Sequence, residues 1–130
     1  SGDAKSYSLA DAVAAGNMNR SMELFRELIN DPENTPVYLL YVLTGSMNDL
    51  YRARLALDYN HGLPEIMKDF GYSPSVEFRV KNALSSVRRT DIRHLRKCLE
   101  ILAKADIDMK SSGADPAVIL EKAIVEMLAR

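Results

Sequence analysis

Residues 91–130 read DIRHLRKCLEILAKADIDMKSSGADPAVILEKAIVEMLAR. This stretch spells out two helices and a turn. From Asp91 to Lys110, the residues Ile92, Leu95, Leu99, Leu102 and Met109 follow a heptad-like spacing that places them on one side of a helix. Ser111-Ser112-Gly113 interrupts the pattern. Asp115-Pro116 then restarts it: the carboxylate accepts an orphan backbone N–H, and proline at the first helical position has no N–H to lose and a pre-set φ. From Pro116 to Ala129 the apolar face is Ile119, Leu120, Ala123, Ile124, Met127 and Leu128. A hairpin with two such stripes must bury them, so the fold expected around it is all-α.

The same punctuation runs back through the chain. Thr35-Pro36 and Ser73-Pro74 repeat the cap-then-proline signal, and Pro64 opens a shorter helix in the same way. A first helix is expected over Ser8–Ala15, with Ser8 and Asp11 as a capping box, Leu9, Ala12 and Val13 as its apolar side, and Gly16 as its stop. A second runs from Met18 to Asn30, with Met18, Met22, Phe25 and Ile29 on one stripe. The third, Pro36 to Tyr59, is the longest and ends at Asn60-His61-Gly62. Val37 to Leu43 is apolar nearly all round, which places this half in the middle of a bundle. The second half is amphipathic through Met47, Leu50, Tyr51, Leu55 and Ala56. Gly45-Ser46 between the halves weakens the helix by about 1 kcal/mol, with a kink, a close approach or no structural reason as the readings. The fourth spans Pro64–Phe70 and stops at Gly71. The fifth spans Pro74–Arg88 with Val76, Val80, Ala83, Leu84 and Val87 on one face, and Phe78 opposite implies packing on two sides. No segment alternates with period two, so no strand is expected. The result is one bundle of about six to seven helices over residues 8–130. Ser1-Gly2 reads as a cloning scar, and residues 1–7 read as scar and linker.

The bulk properties agree with a packed domain. The 130 residues are 47% apolar and 27% charged, with net charge −1; a domain of this size buries roughly two thirds of its unfolded surface. The single cysteine, Cys98, cannot form an internal disulfide and reads as a small core or half-buried residue rather than a catalytic thiol, which suits a reducing cytoplasm. The longest apolar run, Val37–Leu43, is far shorter than the roughly 20 residues of a membrane span.

Catalytic and metal-binding patterns do not emerge. His61 and His94 are far apart and lack second ligands at helical spacing, and the glycines are not clustered into a phosphate loop. No catalytic residue, metal or cofactor is expected. Two features stand out instead. From Gly71 to Ser112 nine bases (Arg79, Lys81, Arg88, Arg89, Arg93, Arg96, Lys97, Lys104, Lys110) face five acids (Glu77, Asp91, Glu100, Asp106, Asp108). Arg79, Lys81, Arg88 and Arg89 form a candidate basic patch for phosphates or an acidic partner, or a solvated face. Asp106 falls where the sixth helix's seam predicts an apolar residue, and Lys110 one turn on can pair with it. Either the seam drifts and Asp106 lies at the solvent edge, or it contacts another subunit or helix end. The segment Pro64–Arg89 resembles a DNA-binding helix-turn-helix, but Met67 four residues before Gly71 and Glu77 six after it do not fit close crossing of the two helices.

The ordered segments resemble a known family. They are Leu9-Ala10-Asp11-Ala12-Val13 with Gly16-Asn17 and Met22 to Ile29; Leu50-Tyr51-Arg52-Ala53-Arg54; Phe70-Gly71-Tyr72 with Val80-Lys81-Asn82-Ala83; and Leu99 to Leu102, Ala105 through Gly113, Pro116 and Leu120 to Leu128. Together they resemble the C-terminal domain of the delta subunit of bacterial DNA polymerase III, a clamp-loader component in DNA replication. The resemblance implies a helical collar domain that joins other clamp-loader subunits into a ring of five. It implies that the sliding clamp is met only through N-terminal modules absent from this sequence, and that direct DNA contact here is weak or absent. The parent would be a non-hydrolysing, cytoplasmic accessory subunit of the polymerase holoenzyme, a nucleotidyltransferase. Asp106 and Lys110 match acidic and basic positions of the family's penultimate helix, which implies an interface or structural role. The reading from another class is a nucleic-acid-binding domain of helix-turn-helix type using Arg79, Lys81, Arg88 and Arg89.

Overall fold

A computed structural model describes residues 2–129. Among them are seven α-helices: α1 (Gly2–Ala14), α2 (Met18–Ile29), α3 (Pro36–Asp58), α4 (Leu63–Asp69), α5 (Glu77–Ser86), α6 (Ile92–Ser111) and α7 (Pro116–Leu128). A single 3-10 turn, Pro74–Val76, leads into α5, and no strand occurs among the described residues.

The caps do what their chemistry requires. Thr35 Oγ1 accepts from Tyr38 N at 3.1 Å, Asp115 Oδ1 from Ala117 N at 2.9 Å, and Asp91 Oδ1 from Arg93 N at 2.8 Å. Ser73 Oγ accepts from Ser75 N at 3.4 Å. α3 ends on Asn60 at φ 60°, where His61 N reaches Ala56 O and Asn60 N reaches Leu57 O, the Schellman pattern. The left-handed residue that stops α3 is therefore Asn60, the first of the three residues expected to end it. Gly16 (φ 76°) closes α1 by the same pair of bonds, Asn17 N to Ala12 O and Gly16 N to Val13 O.

α1 begins at Gly2, so residues expected to precede the first helix belong to it, and Ser6 is buried. Ser8 and Asp11 are consequently in mid-helix and form no capping box. In α2 the buried stripe is Ser21, Leu24, Phe25 and Leu28; Met22 and Ile29 flank it and Met18 is exposed, a shift of one position from the expected stripe. Phe78 is exposed, so α5 packs on one side only.

α3 is the hub and packs against α1, α5 and α6, with further contacts to α2, α4 and α7. α1 and α2 form one hairpin, α6 and α7 the other, and the two hairpins meet through α1, α2 and α7. Leu43, Met47, Leu95, Cys98, Leu102, Ile124 and Met127 sit at the centre of the main core. A satellite cluster of Ala56, Ile66 and Val80 seats α4 on α3 and α5.

Leu102 is fully enclosed, so Leu102→Ala should lower the unfolding free energy by about 2–5 kcal/mol in urea titration. Arg93 holds the Asp91 carboxyl down to a pKa of about 2, from an ordinary 3.8, through its guanidinium and its backbone N–H. The stability contributed by this cap is present above the ordinary value and is lost as pH falls through about 2. Carboxyl NMR titration should find the Asp91 midpoint there, and Arg93→Ala should move it upward.

Candidate interface along the third and sixth helices

The first half of α3 is where the fold leaves apolar surface uncovered. Leu39, Leu40 and Leu43 point into the core. Val37, Tyr38 and Tyr41 point away from it and are 56%, 45% and 77% exposed. Their side chains line a groove of about 810 Å³ between α3 and α6, whose other wall includes Leu99, Ala103, Asp106 and Lys110. Tyr7 of α1 and Arg79 of α5 border it. Gly45 lies in the lining, and a Cβ built there would meet nothing within 4 Å, so a close helix approach does not account for it. Its missing side chain simply leaves the groove open.

One turn further along α3, Asp49 is buried and held from two other elements. Arg79 donates from Nε to Oδ2 at 3.0 Å and from Nη2 to Oδ1 at 3.1 Å, a bidentate pair. Tyr72 donates its hydroxyl to Oδ1, and Arg52 Nη1 donates to that hydroxyl at 3.1 Å. The Arg52 guanidinium also stacks 5.0 Å from the Phe70 ring centre and 5.5 Å from that of Tyr72. Burial, then the Asp49 hydrogen bond, pushes the Tyr72 phenol above its usual value, and the same carboxylate raises Arg79 further. The arrangement locks α3 to the Phe70–Tyr72 turn and to α5. It satisfies a carboxylate that would otherwise be costly to bury.

Residues 3–127 match the family model described as DNA polymerase III delta subunit, C-terminal domain. The chain belongs to this family. The DNA polymerase III subunit delta of Bacillus subtilis is 23% identical over 124 residues, which cover 95% of this chain and 35% of that protein. The chain thus spans about a third of the length of this curated relative. A solved structure of the Bacillus subtilis DNA clamp loader delta protein superposes with a TM-score of 0.86 at 22% identity, over all of this chain and 37% of that one. At that identity the likeness speaks for the fold.

Within this family member the residues expected to matter separate into three places. Asp106 and Lys110 do pair, at 2.9 Å, but their side chains are 47% and 73% exposed. The buried seam of α6 is Leu95, Cys98, Leu102 and Ala105, so Asp106 occupies the flank, at the rim of the groove. A solvent-exposed pair of this kind contributes about 0.3–0.5 kcal/mol. Arg79 is turned inward to Asp49, while Lys81, Arg88 and Arg89 are exposed and line no part of the groove. The four bases therefore do not make one patch. No group of three or more His, Cys, Asp or Glu side chains suited to a metal ion occurs among the described residues. His94 sits half-buried beside Cys98, Nε2 to Sγ 3.7 Å.

Arg79→Met leaves the buried Asp49 carboxylate with the Tyr72 hydroxyl but no cation, and should destabilise the fold by about 2–3 kcal/mol in urea titration. Asp49→Asn should cost less, because Arg79 can turn its guanidinium to solvent. Equal costs for the two would mean the carboxylate is not the buried member that matters.

Proposed function

We propose that this chain is a collar domain, an oligomerisation module that joins a DNA polymerase III delta subunit to the C-terminal helical domains of neighbouring clamp-loader subunits. The observation that carries the reading is the outward face of α3, where Val37, Tyr38 and Tyr41 stand exposed on a helix whose opposite side is core. Tyrosines of this kind, ringed by polar groups such as Asp106 and Lys110, are the usual anchors of protein interfaces.

A subunit inside a ring presents two different surfaces, one to each neighbour. Helical spacing puts Leu99, Ala103, Asp106 and Lys110 on one side of α6, and Ile101, Lys104, Ala105 and Asp108 on the opposite side. The first side faces the α3 groove. The second meets α7 in a smaller recess of about 290 Å³, beside the exposed Val118 of α7. These are the two faces proposed for the ring contacts. In this reading the domain assembles and does not catalyse, works in the cytoplasm, and leaves clamp contact to N-terminal modules of the full subunit. No helix among the described residues is long and apolar enough to cross a membrane. The helix-turn-helix alternative is not favoured, because Arg79 is committed to Asp49 and cannot reach a groove of DNA.

Mixing the chain with the C-terminal domains of neighbouring subunits, read by light scattering after gel filtration, tests this. Tyr41→Ala combined with Val37→Ser should weaken assembly about tenfold or more, an effect of about 1.4 kcal/mol or above, without lowering the melting temperature. Gly45→Ala should stabilise the isolated chain by about 1 kcal/mol yet weaken assembly, because its methyl enters the groove. Assembly undiminished by either change would remove the α3 face from the interface.

A further inference from the structure

Residues 88–97 hold five bases, Arg88, Arg89, Arg93, Arg96 and Lys97, against the single acid Asp91. The other 120 residues hold twelve bases and seventeen acids. A chain that is slightly acidic overall therefore concentrates its positive charge on the α5–α6 turn and the first turns of α6. All five bases are exposed. Arg93 pairs with Asp91 and so removes the one local carboxylate from play. Arg88, Arg89, Arg96 and Lys97 have no ion-pair partner among the described residues. The backbone is prepared as well. Carbonyls at a helix C-terminus repel anions, but here Arg54 Nη1 donates to Val87 O at 2.9 Å and Arg88 O at 3.0 Å, occupying them. Beside them lies a concavity of about 460 Å³ lined by Ala14, Ala15, Ser85, Ser86, Thr90, Arg88 and Arg89.

We propose that this patch binds the phosphodiester backbone of nucleic acid, weakly and without reading sequence. A cationic surface can also meet an acidic protein, but such interfaces take their strength from buried apolar anchors. The basic stretch itself supplies none: along the chain no exposed large apolar residue falls between Phe78 and Ile107. A surface with guanidiniums, an ammonium and hydroxyls but no apolar anchor suits a polyanion held by counterion release and hydrogen bonds to phosphate oxygens. No helix is offered to a base edge, since α6 buries Leu95 and Cys98 on its inner side and lies flat on the bundle. The site is separate from the α3 groove and shares none of its lining residues.

Fluorescence anisotropy with two labelled duplexes of unrelated sequence, in the presence and absence of polyglutamate, tests the proposal on the 130-residue chain. The two duplexes should bind within about twofold of each other, and affinity should fall about a hundredfold between roughly 50 and 200 mM salt, as expected for four phosphate contacts. The triple change Arg89→Gln, Arg96→Gln and Lys97→Gln alters only exposed side chains; it should abolish most binding and flatten the salt slope by about 2–3. If that protein melts early, Arg96→Gln with Lys97→Gln alone should flatten the slope by about 2. No binding at low salt, binding insensitive to these changes, or displacement by polyglutamate at equal charge as readily as by unlabelled DNA would each overturn it. Strong preference for one duplex would also overturn it.

Discussion

Residues 37–43 are apolar around the whole circumference of α3, and one layer of neighbouring helices can cover only part of a helix. That constraint organises the molecule. α1 and α6 take the side carrying Leu39, Leu40 and Leu43, and Val37, Tyr38 and Tyr41 are left facing water. Along the second half of α3, α4 and α5 attach at Ala56 and Asp49 and supply cover there. The uncovered half is therefore not an accident of composition along the surface. It follows from where the short helices attach, and it places the proposed contact face directly on the element that holds the core together.

Asp49 ties α3 to the elements that attach along its second half. Its carboxylate is buried at the junction, and the groups that satisfy it come from the Phe70–Tyr72 turn and from α5. Arg52 extends the network to the ring of Phe70. The satellite helices α4 and α5 are thus held by polar geometry as well as by the small cluster around Ile66. A docking face gains from such rigidity, since less ordering remains to be done when a partner arrives.

The helices themselves were legible because their ends carry strong local chemistry: Thr35 and Asp115 cap the helices they announce, and Ser73 caps the 3-10 turn that leads into α5. The faces were harder to read. Leu99 and Met109 look like a seam with Leu95 and Leu102, but the same alternation of three and four residues also fits the neighbouring register, and the buried row runs through Cys98 and Ala105 instead. That register leaves Asp106 at the rim. The α2 stripe is likewise displaced by one position, with Ser21 buried where an apolar residue would be expected. The run Val37–Leu43 misled in a different way. Periodicity reports that a face is apolar, not whether the cover belongs to the same chain. Asp49 could not be identified by its partners, which lie 23 and 30 residues away. One signal was present: it falls on the row Ser46, Asp49, Ala53 and Ala56, all buried.

Basic residues split by the fold also have separate tasks. Arg79 serves the interior, Arg54 caps carbonyls at the end of α5, and the exposed group from Arg88 to Lys97 lies away from the α3 groove. The proposed protein contact and the proposed anion contact therefore fall on different surfaces of one small bundle. The central claim, that the outward face of α3 is covered by a neighbouring subunit, is tested most directly by amide hydrogen exchange on the chain alone and in the assembled complex. Slowed exchange concentrated in residues 37–45 and at the Asp106–Lys110 rim is the predicted result. Unchanged exchange there, with protection appearing on other surfaces, would contradict it.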